Sequence, residues 1–389
     1  MTKITVLGGG IAGVEAAIYC KKAGFEVELI SERDYLFIYP IAIWIPVSKL
    51  PFEKASLSLP SLARKHDFTL TIQRVVAINA ALGQITLESG ETRREPNLII
   101  ATGSGKMSHP GIEHTLSICG VPEQSLELKN RIEKLIEKGE GKIAFGFGGN
   151  PKDSSAVRGG PGFELFFNLH HRLKTLGIRD RFEMTFFAPM PQPGARMGET
   201  ALRMMGKLFA ANRFHTRYGK KIKAFEADKV VFEDDSAIES DLTMFIPAGN
   251  GSELVRSSDL AQNEAGFIRI DPTCRIEGTE HWYAIGDAAA LEGPDWKAKQ
   301  GHIAEVMARI AAHNLAVDLL GNPQAKQTYP HHLNILCVMD MGNGAGFVYR
   351  DDTTARLIPM PIVGHWLKQL WGHYYKASKL GYIPRLPGL

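Results

Sequence analysis

The stretch ITVLGGGIAGVEAAIYCKKAGFEVELISE, residues 4–32, decides the fold of this chain. An apolar run, three glycines, a helix-forming run and a second apolar run predict a strand, a tight turn, a helix and a second strand. We expect Gly8 to allow the sharp turn, Gly10 to admit a pyrophosphate and Gly13 to let the helix pack closely. The helix N-terminus would bind phosphates and Glu32 the ribose hydroxyls. The stretch therefore predicts a dinucleotide site, the alternative being a glycine-rich turn without a ligand.

The composition is that of a globular protein long enough for two or three domains. Of the 389 residues, 44% are hydrophobic and 22% are charged, and the net charge is only +3. So small a charge argues against a nucleic-acid partner. No apolar run predicts a membrane-spanning helix and no signal peptide is apparent, so a cytoplasmic location is expected. The cysteines are too widely spaced for a zinc pattern or a disulfide framework; they are Cys20, Cys119, Cys274 and Cys337.

Two later apolar strands end in residues that suit a ligand. The run NLII leads into Ala101-Thr102-Gly103, and parallel sheets bind ligands at the carboxyl ends of their strands. The run HWYAI leads into Gly286 and Asp287. That aspartate can accept a hydrogen bond from the ribityl chain of a flavin, and its alternative interpretation is a helix N-cap.

The segment from Arg33 to Trp44 is aromatic and aliphatic without a clear period. Loops normally face water, so an apolar loop next to a nucleotide fold is unusual. It is either a buried connection or a segment that packs on a flat cofactor ring or lines an apolar channel.

A second strand, turn and helix begin at Lys142, but the turn is stretched and lacks the GxGxxG spacing. The strand that follows ends in Ala188-Pro189, where a second ribose would need an acid. A second dinucleotide is therefore the weaker prediction.

The C-terminal region carries Cys337 in a short strand and then an amphipathic helix over residues 362–382. No acidic residue follows Asp352, whereas five basic residues do: Arg356, Lys368, Lys376, Lys379 and Arg385. A basic helix that carries tryptophan can lie in a membrane interface. The alternative is a helix that docks on the protein or on a second subunit.

Taken together, these motifs resemble the FAD oxidoreductases with two dinucleotide folds, and most of all the sulfide:quinone oxidoreductases and flavocytochrome c sulfide dehydrogenases. The more specific matches are Leu116-Ser117-Ile118-Cys119, Gly160-Pro161-Gly162-Phe163-Glu164, Thr243-Met244-Phe245-Ile246-Pro247, Lys299-Gln300-Gly301, Ala312-His313-Asn314, and Leu336-Cys337-Val338 followed by Gly344-Ala345-Gly346-Phe347. The resemblance implies an α/β fold of two Rossmann-like, doubly wound domains, the second inserted in the first. A C-terminal α+β region ending in the amphipathic helix would follow.

The resemblance also implies the cofactor FAD and a flow of electrons from a sulfur donor, through a cysteine beside the flavin, to a quinone. The catalytic residues it implies are Cys337, Glu164 and Lys299, with Glu305 among the polar positions near the flavin or quinone. The residues assigned to cofactor binding are Gly8, Gly9, Gly10, Ala12, Gly13, Glu32, Arg33, Val76, Ala101, Thr102, Gly103, Gly286, Asp287 and Lys299.

The chain departs from the family at the second redox cysteine, which should lie just before Gly160-Pro161. Residues 156–159 read AVRG, without a sulfur. Cys119 matches a third, peripheral cysteine of the family and could replace the missing one only with its Cα within about 7 Å of that of Cys337. Arg158 lies in the segment where the family has its second redox cysteine, and there it could lower the pKa of Cys337 or attract an anionic sulfur species.

The resemblance divides the chain into an FAD domain (1–105 and 241–320), a second nucleotide-like domain (106–240) and a C-terminal region (321–389). The partners predicted are a small sulfur donor, a quinone, a membrane surface on the inner face of the cell and a second copy in a homodimer. Two alternatives are a type II NADH:quinone oxidoreductase and a low-turnover flavin-binding subunit of an electron-transfer complex.

Overall fold

The computed structural model describes residues 1–384, so Arg385 of the predicted basic tail lies outside the described residues. The α-helices in this part are α1 (Ile11–Lys22), α2 (Tyr39–Ala42), α3 (Leu59–His66), α4 (Gln124–Lys138), α5 (Gly160–Thr175), α6 (Glu199–Ala211), α7 (Glu253–Arg256), α8 (Gly301–Leu320) and α9 (Val363–Lys379). The first helix and the C-terminal helix lie close to where the sequence pattern predicts them.

Some strands alternate with these helices, and others follow one another directly and form antiparallel hairpins. They are β1 (Lys3–Leu7), β2 (Glu26–Ser31), β3 (Tyr35–Phe37), β4 (Ser56–Ser58), β5 (Thr69–Ile72), β6 (Val75–Asn79), β7 (Gln84–Leu87), β8 (Thr92–Arg94), β9 (Leu98–Ile100), β10 (Gly105–Lys106), β11 (Gly141–Phe147), β12 (Phe182–Ala188), β13 (His215–Tyr218), β14 (Ile222–Phe225), β15 (Lys229–Phe232), β16 (Ala237–Glu239), β17 (Leu242–Ile246), β18 (Gly249–Asn250), β19 (Trp282–Ala284), β20 (Ile335–Asp340), β21 (Gly344–Arg350) and β22 (Ala355–Pro361).

The first sheet has five parallel strands in the order β19–β9–β1–β2–β5. All residues of β1 after Lys3 are buried, as expected for a central parallel strand covered on both faces. Helices α1 and α8 pack against each other beside this sheet. Because β19 joins the sheet late in the chain, the first unit is discontinuous, which confirms the predicted insertion of the second.

The second sheet has four parallel strands in the order β13–β12–β11–β17, with α5 packed against β11. Strand β17 pairs with β11 from Ile143 to Phe147, so this sheet runs past residue 240, where the sequence-based division ended the domain. The division into domains stays a proposal, with this boundary moved beyond Ile246.

The C-terminal region is an antiparallel sheet, β20–β21–β22, on which α9 packs. The buried positions of α9 are Gly364, Lys368, Gly372, Tyr375 and Lys379. The helix therefore docks through small residues and two lysines, while much of its apolar surface points away from the protein.

The apolar segment from Arg33 to Trp44 forms β3 and α2 and is largely buried. Its Ile41 side chain fits against Gly372 of α9. Tyr39 and Pro40 in the same segment line the large cavity described below. The two interpretations of this segment are therefore both partly correct, since it is a buried connection that also borders a cavity.

Candidate functional site

A cavity of about 1660 Å³ opens where the two parallel sheets, β20 and α9 come together. Single pockets for small ligands usually measure about 300–1,000 Å³, so this one has room for more than one bound molecule. Its walls include the turn after β1, the end of β9, the amino end of α5 and the middle of β20. The first three of these lie at or just beyond the carboxyl ends of parallel strands, where α/β proteins bind ligands, whereas β20 belongs to the antiparallel sheet.

The glycine turn between β1 and α1 is shaped for close approach by a ligand. Gly8 has a φ of +108°, and a Cβ there would collide with the backbone of Ala101. A Cβ on Gly13 would overlap the carbonyl of Gly8, so Gly13 lets α1 pack against the turn. Gly10 has no atom within 4 Å of its would-be Cβ and faces open space. The three roles predicted for these glycines are consistent with this geometry.

Three buried polar atoms in the cavity wall fit a large polar ligand. They are Gln73 Oε1, Thr102 Oγ1 and Gln300 Oε1, and none of them has a hydrogen-bond partner within residues 1–384. Buried polar atoms are normally satisfied, so each marks a place where a ligand group or water belongs. The turn at Gly10 adds the free N–H groups of a helix N-terminus. The chain thus offers both a phosphate cradle and scattered polar partners, as a dinucleotide requires.

Asp287 lies in the cavity wall and forms an ion pair with Arg158. It sits in a short 3₁₀ turn, Gly286–Ala288, and α8 begins only at Gly301 with Gln300 as its N-cap. The N-cap interpretation of Asp287 is therefore wrong. Its carboxylate is available to the cavity, where the predicted ribityl contact would be made.

Cys337 lines the cavity from the middle of β20 and is half-buried. Burial raises the pKa of its thiol to about 12, and the charge of Glu164 adds to this effect. Glu164 Oε1 accepts a hydrogen bond of 2.8 Å from the N–H of Asp340 and an ion pair from Lys368 of α9. Burial also raises the pKa of Glu164, against the opposing effect of Lys368. The thiol is thus protonated at neutral pH and sits next to a carboxyl of increased basicity.

The remaining cavity cysteine, Cys119, is buried and is a free thiol, as is Cys337. Burial raises the pKa of Cys119, while Arg158 and Lys106 oppose that rise. Arg158 is absent from the groups that act on Cys337. The expectation that Arg158 lowers the pKa of Cys337 is therefore wrong, because the guanidinium faces Cys119 and Asp287 instead.

Most residues predicted for the site line this one cavity: Gly8, Gly9, Gly10, Ala12, Glu32, Arg33, Ala101, Thr102, Gly103, Glu164, Asp287, Lys299 and Cys337. Val76 does not, because a bulge between Val75 and Ala77 turns Val75 towards the cavity and leaves Val76 46% exposed. Gly13 and Gly286 also stand behind the wall, where they permit close packing. A Cβ on Gly286 would press on Ala12 and Ala304.

Several residues that the fold brings to the site carried no signal in the sequence. Asp340 is one: its carboxylate accepts hydrogen bonds from Trp44 Nε1 at 2.7 Å, Asn168 Nδ2 at 2.9 Å and His365 Nδ1 at 2.8 Å. Burial alone would raise its pKa, but these donors outweigh burial and lower it to about 2. This carboxylate ties α5, α9 and the Trp44 segment to the strand of Cys337.

The fold and the site define a class of protein. A profile of the pyridine nucleotide-disulphide oxidoreductases matches residues 2–313. The chain belongs to this family and is a flavin-dependent oxidoreductase with two dinucleotide folds.

Within that class, the chain is similar to the sulfide-quinone reductase of Aquifex aeolicus, with 28% identity over 96% of this chain and 88% of that protein. The solved structure of the sulfide:quinone oxidoreductase from that bacterium matches with a TM-score of 0.86 and 25% identity, over 98% of this chain and 92% of that one. The resemblance predicted from the motifs is confirmed. The type II NADH:quinone oxidoreductase Ndh of Mycobacterium tuberculosis is 23% identical over the whole chain and 86% of that protein.

Proposed function

We propose that this protein binds FAD and passes two electrons from a sulfur donor to a membrane quinone. The observation that carries the proposal is the single cavity shared by the thiol of Cys337, the glycine turn at Gly8–Gly10 and apolar side chains of α9. The similarity to sulfide-quinone reductases supports this choice of donor and acceptor.

FAD fits the polar groups of the cavity. The glycine turn and the amino end of α1 would hold its phosphates, Glu32 its ribose hydroxyls, and Thr102 and Asp287 its more central polar groups. When bound, FAD supplies a carrier that takes up two electrons from one substrate and delivers them to another. The protein supplies the reacting thiol, the proton acceptors and the access routes.

The sulfur step begins with removal of the proton from Cys337, because the thiol is protonated at neutral pH. Glu164 is the proposed acceptor, since its raised pKa makes it a stronger base than an ordinary carboxylate. The Cys337 thiolate and hydrosulfide then form one S–S bond, giving a persulfide, one proton and two electrons. This step needs one cysteine, so it is compatible with the missing second sulfur.

The quinone side of the site is proposed to lie against α9. Leu367, Leu370, Trp371 and Tyr374 of this helix line the cavity together with Pro40. Quinone takes up two electrons and two protons to form quinol. The overall reaction therefore converts hydrosulfide, quinone and one proton to zero-valent sulfur and quinol. Lys299, another cavity residue, is the proposed proton donor, because burial lowers its pKa to about 7.

A peripheral membrane location on the inner face of the cell membrane fits the outer surface of α9. Val363, Trp366 and Leu370 are each more than 60% exposed, which is unusual for large apolar side chains on one helix. Among residues 1–384, no helix has both the length and the apolar character needed to cross a bilayer. We therefore propose that α9 lies in the interface, where quinone can enter the cavity from the lipid.

The test is anaerobic flavin reduction followed by stopped flow, with hydrosulfide and NADH in parallel. We expect hydrosulfide to bleach the flavin absorbance and a water-soluble quinone to restore it, while NADH has no effect. Strand β12 ends at Ala188 with Pro189 beyond it, so an acid for the NADH ribose is absent there. Fast bleaching by NADH with none by hydrosulfide would replace the proposal with the NADH:quinone alternative.

A further inference from the structure

Four cationic side chains gather in one wall of the cavity, where Arg158 is central. Lys106, Arg158, Arg196 and Lys299 all line the cavity and are at most partly exposed. They come from four separate segments of the chain, so their convergence is a property of the fold. This cluster is called the cationic wall below.

The cationic wall has fewer acids than cations. Arg158 pairs with Asp287, and Asp153 acts on Lys299. Neither Lys106 nor Arg196 forms an ion pair with a carboxylate in the part of the chain that the structure describes. Unpaired charges in a buried setting are costly, so the wall favours an anionic partner from outside the protein.

Arg196 has a separate task within the wall. It donates hydrogen bonds to the backbone carbonyls of Ser154, Val157 and Lys297. These bonds fix the segment that leads into Arg158. Arg196 is thus a positioning residue. The cations proposed to meet a ligand are Lys106 and Arg158, the second of which also pairs with Asp287.

The positive charges of the cationic wall repel one another, and this repulsion lowers the pKa values of two of its members. Burial and the charge of Arg158 lower the pKa of Lys106 to about 8 and that of Arg196 to about 10. A bound anion would oppose both effects. Arg158 and Lys106 also act on the thiol of Cys119, so the cationic wall lies beside one of the two thiols that line the cavity.

We infer that Arg158 and Lys106 bind the anionic group of a sulfur donor whose terminal sulfur reacts at Cys337, and thiosulfate is the simplest donor of this class. The inference rests on the proposed function, because it names the substrate of that same site. A donor of this kind suits a chain with one reacting thiol and an arginine where the family has its other cysteine. The arginine then holds the part of the donor that does not react.

The chemistry balances with one thiol. The thiolate of Cys337 and thiosulfate form one S–S bond, giving a thiosulfonate on Cys337 and releasing two electrons to the flavin. A second thiosulfate then attacks the donor sulfur that is bonded to Cys337 Sγ. The bond between that sulfur and Sγ breaks, so tetrathionate leaves and the thiolate of Cys337 is restored. The two electrons reduce quinone, so one quinol is formed for each tetrathionate.

The experiment compares wild type, Arg158→Gln and Arg158→Lys as FAD-loaded enzymes. Calorimetry measures binding of sulfate, an anion that cannot reduce the flavin, and stopped flow measures flavin reduction by thiosulfate and by hydrosulfide. We expect Arg158→Gln to raise the sulfate Kd and the thiosulfate half-saturation by about tenfold or more, the scale of one hydrogen bond to a charged group. Arg158→Lys should recover part of the affinity for both anions, because it keeps the positive charge.

Arg203→Gln is the matched control, since it removes an exposed arginine of α6 outside the cavity. Hydrosulfide reduction without any thiosulfate reduction or sulfate binding overturns the inference and leaves the proposed function standing. Loss of FAD from Arg158→Gln with unchanged sulfate affinity also overturns it, because the wall would then serve the cofactor. Sulfate binding that depends on Arg158, without flavin reduction by either donor, supports the anion site and removes the proposed function.

Discussion

At the scale of single residues, the site combines a thiol and a carboxyl that are both protonated more readily than usual. Burial raises the pKa of Cys337 and of Glu164, and the two groups sit on different elements, β20 and α5. Neither shift can be derived from sequence, because each depends on which distant groups surround the side chain. The sequence could predict only that these two residue types occur within matching motifs.

Replacing Cys337 tests the thiol itself. Cys337→Ala should retain FAD, because the glycine turn is untouched, and should abolish flavin reduction by sulfur donors. The measurement is the anaerobic bleaching rate with hydrosulfide. Cys20→Ala is the control, since Cys20 is a buried free thiol of α1 outside the cavity. An unchanged rate in Cys337→Ala would remove this residue from the mechanism.

Gly10→Val tests the phosphate cradle. The new side chain meets no protein atom within 4 Å of its Cβ, so folding should be preserved while the space for a phosphate is filled. We expect the purified variant to lose nearly all bound flavin and to unfold as cooperatively as wild type. Gly206→Ala, at an open position of α6, should keep its flavin. A variant at Gly10 with full flavin content would place the cofactor elsewhere.

At the scale of elements, α9 shows where periodicity succeeds and where it fails. The apolar spacing predicted a helix over residues 362–382, and the structure has it at Val363–Lys379. Its basic residues favour a membrane interface as one of two interpretations, yet Lys368 and Lys379 are buried. Their carboxylate partners Glu164, Glu15 and Glu305 lie far away in sequence. No local pattern could reveal these ion pairs.

Lys379→Met should destabilise the protein by about 3–5 kcal/mol, the usual result of removing one partner from a buried ion pair. Lys379 pairs with both Glu15 and Glu305, at 2.7 Å from Glu305 Oε1, so the variant leaves two carboxylates without this cation. Urea unfolding measures the loss. Lys376→Met, on the exposed side of α9, should change stability far less. Equal effects of the two changes would mean that α9 is not held through Lys379.

The apolar surface of α9 is better tested by substitution than by truncation. Removing all residues after Asp352 would also remove β22, which pairs with β21 along its whole length. The double change Val363→Ser/Trp366→Ser should instead reduce binding to liposomes severalfold, because these side chains are 62% and 65% exposed and lie outside the cavity. Reduction of a water-soluble quinone should be unchanged.

Leu82→Ser/Leu176→Ser provides the matched control for that measurement. Both leucines are exposed, at 57% and 49%, but lie outside the C-terminal helix. Liposome binding should be unaffected by this pair. Equal binding by the α9 variant and wild type would identify the outer face of α9 as a surface for something other than lipid.

At the scale of the whole molecule, the glycine motif predicted the first sheet well, and the strand ends at Thr102 and Asp287 reached the same cavity. Local sequence signals can predict this sheet and these strand ends because each motif combines a strand, a turn and a ligand-facing residue. The cationic wall and the network around Asp340 could not be predicted, since their members meet only after the two sheets assemble. The pairing of β17 with β11 across the second sheet, which moves the proposed boundary beyond residue 240, could not be predicted for the same reason.

Lys299 gives the molecule a pH dependence whose sign follows from its environment. Burial lowers its pKa from 10.5 to about 7 in the folded state, so the unfolded chain binds more protons between these values. The free energy of unfolding therefore rises with pH from about 7 to 10.5. Below about pH 7 the lysine is charged in both states, so the full cost of burying that charge is present. Lys299→Met should raise the free energy of unfolding at pH 6.5 and do so much less at pH 9.5.

Lys207→Met, which removes an exposed lysine of α6, controls for the general loss of one positive charge. Chemical denaturation at the two pH values supplies the measurement. A gain from Lys299→Met that is the same at both values would show that Lys299 is not the group that titrates.

The ion pair between Lys379 and Glu15 joins two residues 364 positions apart. During synthesis, the carboxylate of Glu15 therefore leaves the ribosome long before the lysine that neutralises it has been added. The first helix can reach its final ionic surroundings only after α9 has been made. A nascent chain interrupted before Lys379 would thus lack a contact of its first helix as well as part of its C-terminal one.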